Sequence, residues 1–257
     1  MPWAAPFLAL SSLPLVGAGF LLHQVRRAAH RDDLPSFTNQ DISTTQGDPA
    51  APRLRVVAVG DSSLTAPGIE DLDDVWLRRL IRRYAEGHCV ELISLGVGGS
   101  RARDVIDGQL DAAAALRPDV AVVTVGSNDA IRATPLHRYR AEMERIVARL
   151  GEVSGAVLIL GMGDLGSIPR LPPSLRPYLR RRSRLFDSAC VGVAVSHPHT
   201  AKVHTQGRMV SAFYDDPALF AGDQFHASEK GHAVFAEEAA AAFEAAYRIA
   251  MRRRQPG

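Results

Sequence analysis

The chain has 257 residues, of which 46% are hydrophobic and 23% are charged, and this composition fits one globular domain with short extensions. Its 30 basic and 28 acidic side chains give a formal net charge of +2 at pH 7, so bulk charge does not indicate a nucleic acid partner. The two cysteines, Cys89 and Cys190, lie far apart in sequence and imply neither a disulfide framework nor a metal-binding pair. We expect no metal and no cofactor.

The first 22 residues carry no charged side chain, which is long enough to cross a bilayer. Arg26, Arg27 and Arg31 follow this segment, whereas a cleavable signal carries its basic residues in front. Basic residues beside a membrane segment favour the cytoplasmic side, so the arginines that follow this segment predict that the rest of the chain is cytoplasmic. We interpret residues 1–31 as a membrane anchor. A secretory signal, with a secreted protein, is the second interpretation, and an amphipathic surface segment is the third.

Residues 32–53 are polar and rich in turn formers, which predicts a linker. From Leu54 on, apolar runs alternate with helical patterns, which predicts an α/β domain over residues 54–251 with helices on both faces of a parallel sheet. Residues 252–257 follow as a basic tail. The predicted strands are 54–60, 90–96, 119–126, 156–161 and, less clearly, 201–206, and the predicted helices are 74–86, 103–116, 136–150, 176–195 and 228–251.

Each of the first three predicted strands ends in a glycine and a polar residue, in the sequences GDSS, GVGGS and GSND. Ligands of parallel α/β sheets bind beyond the carboxyl ends of the strands, so these three loops should meet at one edge. Ser62, in GDSS, lies where a hydroxyl nucleophile would be placed near a helix start. Taken alone, the triplet is equally typical of a helix N-cap.

A second candidate is the Asp223-Gln-Phe-His226 sequence, which comes late in the chain and directly before the last predicted helix. A carboxylate three residues before a histidine can bind one ring nitrogen and leave the other free to accept a proton from a serine. The alternative is a half-exposed histidine that bonds a nearby carboxylate without a catalytic role.

Two further residues could donate hydrogen bonds to an oxyanion. Gly99, in SLGVGGSR, can bring a bare backbone N–H close to a reacting carbonyl, and Asn128, in VGSND, offers a side-chain amide. Each also has an ordinary interpretation, since glycine is common in tight turns and asparagine stabilises turns through its side chain.

Taken in their order along the chain, the GDS sequence, the glycine loop at Gly99, the GSND sequence and the Asp223–His226 pair resemble the four sequence blocks of the SGNH hydrolase superfamily, also called GDSL-type esterases. The resemblance covers about residues 54–245. The resemblance implies a three-layer, flavodoxin-like α/β/α fold. It also implies Ser62 as the nucleophile, His226 as its base, Asp223 as the residue that orients the base, and the Ser62 N–H, Gly99 and Asn128 as the oxyanion hole.

The chain departs from the family pattern in its second block. Ser94 stands where the family has an asparagine, two residues before the first glycine, and this leaves open what anchors the Gly99 loop. The glycine of the fourth block is present as Gly231. We interpret the next residue, His232, as a helix residue and not as a second base.

Other functional motifs fit less well. No serine has glycines at both flanking positions of a G-x-S-x-G elbow, which argues against the α/β-hydrolase family. Residues 161–166 spell a G-x-G-x-x-G sequence, but a proline-rich stretch follows instead of a helix, so these glycines should line the crevice or turn the chain. His197 and His199 lack a third ligand at a metal-binding spacing and favour a surface loop.

These residues favour a serine-dependent ester hydrolase that acts on a small-molecule ester or thioester through an acyl-enzyme. The first alternative is an acyltransferase that moves a fatty acyl group from acyl-CoA to a sugar or glycoside hydroxyl, which makes a carbohydrate acceptor a candidate partner. The second alternative is a membrane-tethered binding module without catalysis. The arginine-rich segment 170–184 could bind an anionic donor or acceptor, or form a solvated rim.

Overall fold

The computed structural model describes residues 33–254, in which six strands form one mixed, mostly parallel sheet. The spatial order is β1-β3-β2-β4-β5-β6, and β1 alone runs antiparallel to its neighbour. In chain order the strands are β1 (Thr44–Gln46), β2 (Arg53–Gly60), β3 (Cys89–Ser94), β4 (Val120–Thr124), β5 (Ala156–Ile159) and β6 (Thr200–Lys202).

Eight α-helices of the described part pack around this sheet. They are α1 (Trp76–Arg82), α2 (Ala102–Gly108), α3 (Leu110–Ala115), α4 (Ser127–Ile131), α5 (Leu136–Val153), α6 (Arg176–Ser196), α7 (Arg208–Asp215) and α8 (Glu229–Arg254). Buried side chains of α1 and α8 belong to the core on one face, and those of α2, α3, α5 and α6 to the core on the other.

The central strands are apolar over most of their length because both of their faces are covered. In β2, Val56 and Ala58 belong to one core, while Val57 and Val59 belong to the other. Strands buried on both faces of a parallel sheet read as continuous apolar runs instead of alternating ones. The predicted α/β/α architecture is confirmed.

One strand lies inside the segment interpreted as a linker. β1 pairs with β3 at the edge of the sheet, with Thr45 opposite Glu91, and Ile42 just before it is fully buried. Residues 42–46 therefore belong to the domain. A three-residue edge strand of polar residues has no hydrophobic pattern, so composition alone indicates only a loop.

Two other boundaries differ from the prediction. The helix predicted over 103–116 is two helices, α2 and α3, because the backbone at Gln109 leaves helical geometry, with φ −122°. At the other end of the chain, α8 continues into the predicted basic tail. The side chains of Arg253 and Arg254 donate to the carbonyl oxygens of Ser154 and Arg53, which fixes this last turn against the domain.

The predicted anchor, residues 1–31, lies outside the described residues, as do residues 255–257. Of the helices in residues 33–254, none combines the length and the apolar character needed to span a bilayer.

Candidate active site

Ser62 lies directly beyond the carboxyl end of β2, at the start of a 3₁₀ turn, Ser62–Leu64. The close approach of β2 and β4 requires glycine at position 60, since a Cβ there would lie 2.0 Å from the Thr124 carbonyl oxygen. Asp61 caps the turn by accepting from the Ser63 backbone N–H at 3.1 Å. Within residues 33–254 the Ser62 hydroxyl has no hydrogen-bond partner, so it is available for a substrate.

The Asp61 carboxyl beside the nucleophile is buried and accepts from both the backbone N–H and the hydroxyl of Ser63. Burial raises the pKa of Asp61 to about 6, although the two bonds from Ser63 and the nearby His226 oppose this shift. Ser63 Oγ also lies 2.5 Å from Thr124 Oγ1, which links the 3₁₀ turn to the end of β4.

His226 and Asp223 form a short hydrogen bond, with 2.6 Å between His226 Nδ1 and Asp223 Oδ2. The other carboxylate oxygen accepts the backbone N–H groups of Phe225 and His226, each at 3.0 Å. Burial alone would raise the pKa of Asp223, but these three hydrogen bonds hold it below its usual value. The carboxylate is therefore ionised at neutral pH and favours the tautomer with the proton on Nδ1, which leaves Nε2 as an acceptor.

The loop that carries this pair is fixed by backbone hydrogen bonds. The Ala221 N–H donates to the His226 carbonyl oxygen at 2.8 Å, and the Arg170 N–H donates to the Gln224 carbonyl oxygen at 3.0 Å. Gln224 itself has φ +58°, a left-handed conformation that closes the turn between the two functional residues.

Ser62 and His226 border the same cavity, which has a volume of about 160 Å³. No hydrogen bond joins their side chains in the described structure. Catalytic hydrogen bonds of this kind are often long before a substrate is bound, so the missing bond does not argue against the pair. Apart from polar atoms near these two residues, the wall is mainly apolar, with side chains from Val125, Leu160, Met162, Leu165, Ile168, Met209, Val210, Phe213, Phe220, Phe225 and Phe235.

The structure places Gly99 and Asn128 next to one another rather than on the cavity wall. Asn128 lies in the first turn of α4, and its Nδ2 donates to the Ser100 carbonyl oxygen at 3.1 Å. Gly99 has φ +83°, which favours glycine, and Arg132 Nη2 is the nearest atom to a Cβ built there, at 3.7 Å. Neither residue is among those that border the cavity in the described chain.

Gln109 joins the end of β2, next to Ser62, to the Gly99 loop, a role that the sequence did not reveal. Its buried amide accepts from the Gly60 N–H at 2.8 Å and donates to the Gly60 carbonyl oxygen at 3.0 Å and to Ser100 Oγ at 3.3 Å. These contacts hold the loop in a chain that has Ser94 in place of the family's asparagine. The Ser94 hydroxyl donates instead to the Leu64 carbonyl oxygen, at 3.4 Å.

Asp129 fixes the same loop from the other side. Its buried Oδ2 accepts from the Ala102 N–H, at the start of α2, at 2.8 Å, and burial raises its pKa above the usual value. The GSND sequence therefore contributes two contacts to the loop, one from Asn128 to Ser100 and one from Asp129 to Ala102.

The glycine-rich sequence 161–166 borders the cavity, as predicted, and a 3₁₀ turn (Leu165–Ser167) follows it. Met162 within it is held by two side chains: its N–H donates to Asp187 Oδ1 at 3.1 Å, and its carbonyl oxygen accepts from Gln206 Nε2 at 2.7 Å. His197 pairs with Glu144 at 2.6 Å just after α6, an ordinary surface contact.

His232 lies within α8, as predicted, and is buried. Burial, with smaller contributions from nearby Arg79 and His226, lowers its pKa to about 3, so the ring is neutral at physiological pH. Its Nδ1 accepts the backbone N–H of Trp76, the first residue of α1, at 3.3 Å. The ring also borders the cavity, but its acceptor nitrogen is already bonded to the first N–H of α1.

A family model described as "GDSL-like Lipase/Acylhydrolase family" matches residues 58–234, which contain all four blocks. The chain belongs to this family. Membership confirms the predicted resemblance, makes the chain an enzyme of the serine hydrolase type, and argues against a binding module without catalysis.

Individual proteins are also similar to this chain in sequence or in fold. The GDSL-like esterase Rv1075c of Mycobacterium tuberculosis is 27% identical over 198 residues, which cover 72% of this chain and 60% of that protein, so the chain matches less than two thirds of its length. The crystal structure of TesA shares the fold with a TM-score of 0.62 and 21% identity, over 76% of this chain and 99% of that one. The esterase EstA of Pseudoalteromonas sp. gives a TM-score of 0.58 and 18% identity, over 74% and 96%.

Proposed function

We propose that this protein hydrolyses carboxylic esters or thioesters through an acyl-enzyme on Ser62, with His226 as the base and Asp223 as the residue that orients it. The observation that carries the proposal is the Asp223–His226 contact of 2.6 Å in a loop that borders the same cavity as the unbonded Ser62 hydroxyl.

In the first step, His226 Nε2 accepts the proton of Ser62 Oγ as this oxygen attacks the substrate carbonyl carbon. Asp223 keeps the Nδ1 proton in place and stabilises the imidazolium that forms. The protonated His226 then returns the proton to the departing alcohol or thiol as its bond to the carbonyl carbon breaks. Water repeats the sequence with the acyl-enzyme and releases the acid.

The negative charge on the carbonyl oxygen needs donors that are already in place. We assign this role to the Ser62 N–H, the Gly99 N–H and the Asn128 amide. One hydrogen of the Asn128 amide is used by the Ser100 carbonyl oxygen, and the second remains for the substrate. Gln109 and Asp129 support these donors by fixing the loop at Ser100 and Ala102.

The cavity wall indicates which part of the substrate it accepts. Its side chains are mainly aliphatic or aromatic, so they favour an apolar acyl group. Whether water or a sugar hydroxyl receives this group depends on the acceptor that reaches the acyl-enzyme, and acyl transfer to a carbohydrate is the alternative outcome. Membrane association through residues 1–22, with the domain cytoplasmic or secreted, belongs to the same proposal.

The test is hydrolysis of short and medium p-nitrophenyl esters by the full chain and by Ser62→Ala, with and without glycoside acceptors. Removal of the nucleophile should abolish turnover. Ser167→Ala is the matched control, because Ser167 also borders the cavity but its hydroxyl donates to the Asp164 carbonyl oxygen at 2.7 Å. Full activity of Ser62→Ala would overturn the assignment, and acyl glycoside formed faster than free acid would replace hydrolysis by transfer.

A further inference from the structure

The N-terminal half of α6 presents a set of arginines to solvent beside the active-site cavity. An open surface groove of about 460 Å³ is formed there, and we call it the arginine groove. Its lining residues are Arg176, Pro177, Arg180, Arg181, Arg184 and Leu185.

The positive charge of the arginine groove is mostly unbalanced. Within residues 33–254, Arg176, Arg181 and Arg184 form no ion pair and no side-chain hydrogen bond. The Nε of Arg176 is buried without a partner, which is costly for a charged donor unless a ligand satisfies it. Asp187, the single acidic residue of α6, is turned to the interior and pairs with Lys202 at 2.8 Å.

Arg180 connects the groove to the cavity. Its Nε donates to Asp164 Oδ2 at 3.0 Å, and its guanidinium lies over the Tyr214 ring, 4.7 Å from the centroid. Asp164 itself borders the cavity. One molecule could therefore reach from the cavity to the groove along this shared wall.

We propose that the arginine groove binds the phosphate of a substrate whose acyl group enters the cavity. This inference rests on the proposed function and narrows its substrate class to phosphate-bearing acyl esters or thioesters. Guanidinium groups match phosphate oxygens in charge and in the geometry of their donors. Because Arg176, Arg181 and Arg184 have no carboxylate partner, phosphate binding breaks no ion pair of these three residues.

Two kinds of molecule carry this chemistry, a coenzyme A thioester and a phospholipid. The experiment compares hexanoyl coenzyme A, dihexanoyl phosphatidylglycerol and the uncharged p-nitrophenyl hexanoate as substrates of the full chain. The variant is Arg181→Gln/Arg184→Gln. The control is Arg83→Gln/Arg252→Gln, which removes the same charge from two exposed arginines, at the end of α1 and in α8, on the opposite face of the sheet.

Loss of two charged hydrogen-bond donors should raise the KM of a phosphate-bearing substrate by about tenfold or more, a change that corresponds to about 1.4 kcal/mol. We expect kcat, p-nitrophenyl hexanoate turnover and the control variant to be unchanged, and the KM effect to shrink in high salt. A raised KM for the thioester alone identifies a nucleotide substrate, and one for the phosphatidylglycerol alone identifies a lipid.

The proposal is overturned if the wild-type chain hydrolyses neither phosphate-bearing substrate, if their KM values respond no more than in the control, or if p-nitrophenyl hexanoate turnover falls equally. In each of these cases, p-nitrophenyl ester turnover that depends on Ser62 would leave the proposed function intact. Turnover that survives Ser62→Ala would instead remove the proposed function.

Discussion

Replacing Asp223 by asparagine tests the central contact of the site with almost no change of shape. The backbone N–H groups of Phe225 and His226 both donate to Asp223 Oδ1, so in the variant they should keep the carbonyl oxygen of the new amide in that position. The amide nitrogen then faces His226 Nδ1, where Asp223 Oδ2 lies at 2.6 Å in the wild type. A donor there reverses the tautomer, and Nε2 becomes protonated.

A protonated Nε2 cannot accept the proton of Ser62. The same exchange in the serine protease triad lowers kcat by about 10⁴, and we expect a loss of about 10³–10⁴ here, equivalent to about 4–5.5 kcal/mol of transition-state stabilisation. The assay is kcat on a p-nitrophenyl ester at neutral pH, beside Asp223→Ala, which also removes the acceptor of the two backbone N–H groups and should destabilise the loop.

Stability provides the control for this variant. Because the folded-state pKa of Asp223 lies below its ordinary value of 3.8, its ionised form contributes stability above that pH, and the contribution is lost as the pH falls through the lowered value. The difference in unfolding free energy between wild type and Asp223→Asn should therefore close in acid. A tenfold loss of kcat corresponds to a rise of about 1.4 kcal/mol in the activation free energy. A folded variant that loses no more than this would refute the orienting role of Asp223.

Three further predictions concern supporting residues. Gln109→Leu removes both partners of the Gly60 backbone groups and should cost about 2–4 kcal/mol in urea unfolding and lower kcat, whereas an unchanged kcat would separate Gln109 from the site. Burial raises the pKa of Asp61 to about 6, so the ionised carboxyl destabilises the folded wild type. The free energy of unfolding of Asp61→Asn should therefore rise relative to wild type, by up to about 3 kcal/mol, as the pH increases from about 4 to above 6. A pH-independent difference would contradict this burial effect. His232→Phe leaves the Trp76 N–H without its acceptor and should cost about 1–3 kcal/mol at pH 8. Because the folded-state pKa of His232 is lowered from 6.5 to about 3, wild-type stability falls as the pH drops below 6.5, so this cost should shrink by about 2 kcal/mol at pH 5; a pH-independent difference would contradict the lowered pKa.

The parts of the fold that could be predicted from sequence are those with a local signal. β5, most of β4 and the second half of β2 are apolar runs, and the functional candidates Ser62 and His226 come directly after a strand and directly before a helix. β1 could not be predicted, because three polar residues form a strand only through their pairing with β3. Gln109 was missed for a related reason, since its partner Gly60 is 49 residues away.

The candidate oxyanion donors, Gly99 and Asn128, fall between these two cases. Glycine in the second block and asparagine in the third were found by their order along the chain, yet the contact that brings them together, Asn128 to the Ser100 carbonyl oxygen, spans 28 residues. Asn128 and Ser100 lie close together because α4 follows β4 at the same edge of the sheet as the loop that follows β3. Sequence order therefore singled out the two candidates, whereas the contacts of Gln109 and Asp129 with the Gly99 loop required the assembled sheet.

Sequence alone also left open whether Ser62 is a nucleophile or a helix cap, and in the structure Asp61, not Ser62, caps the 3₁₀ turn. Asp61 Oδ1 accepts the Ser63 N–H, whereas the Leu64 and Thr65 N–H groups, which a capping Ser62 would bind, donate to the backbone carbonyl oxygens of Asp61 and Ser62. The cost is a buried carboxyl whose pKa is raised to about 6. The benefit is a Ser62 hydroxyl without an internal partner, so no hydrogen bond has to break before it can donate to His226. The acidic residue immediately before Ser62 therefore fixes the 3₁₀ turn without using the Ser62 hydroxyl, and Asp61→Ala, which leaves the Ser63 N–H without its acceptor, should loosen this turn and lower kcat even though Asp61 contacts no reacting atom.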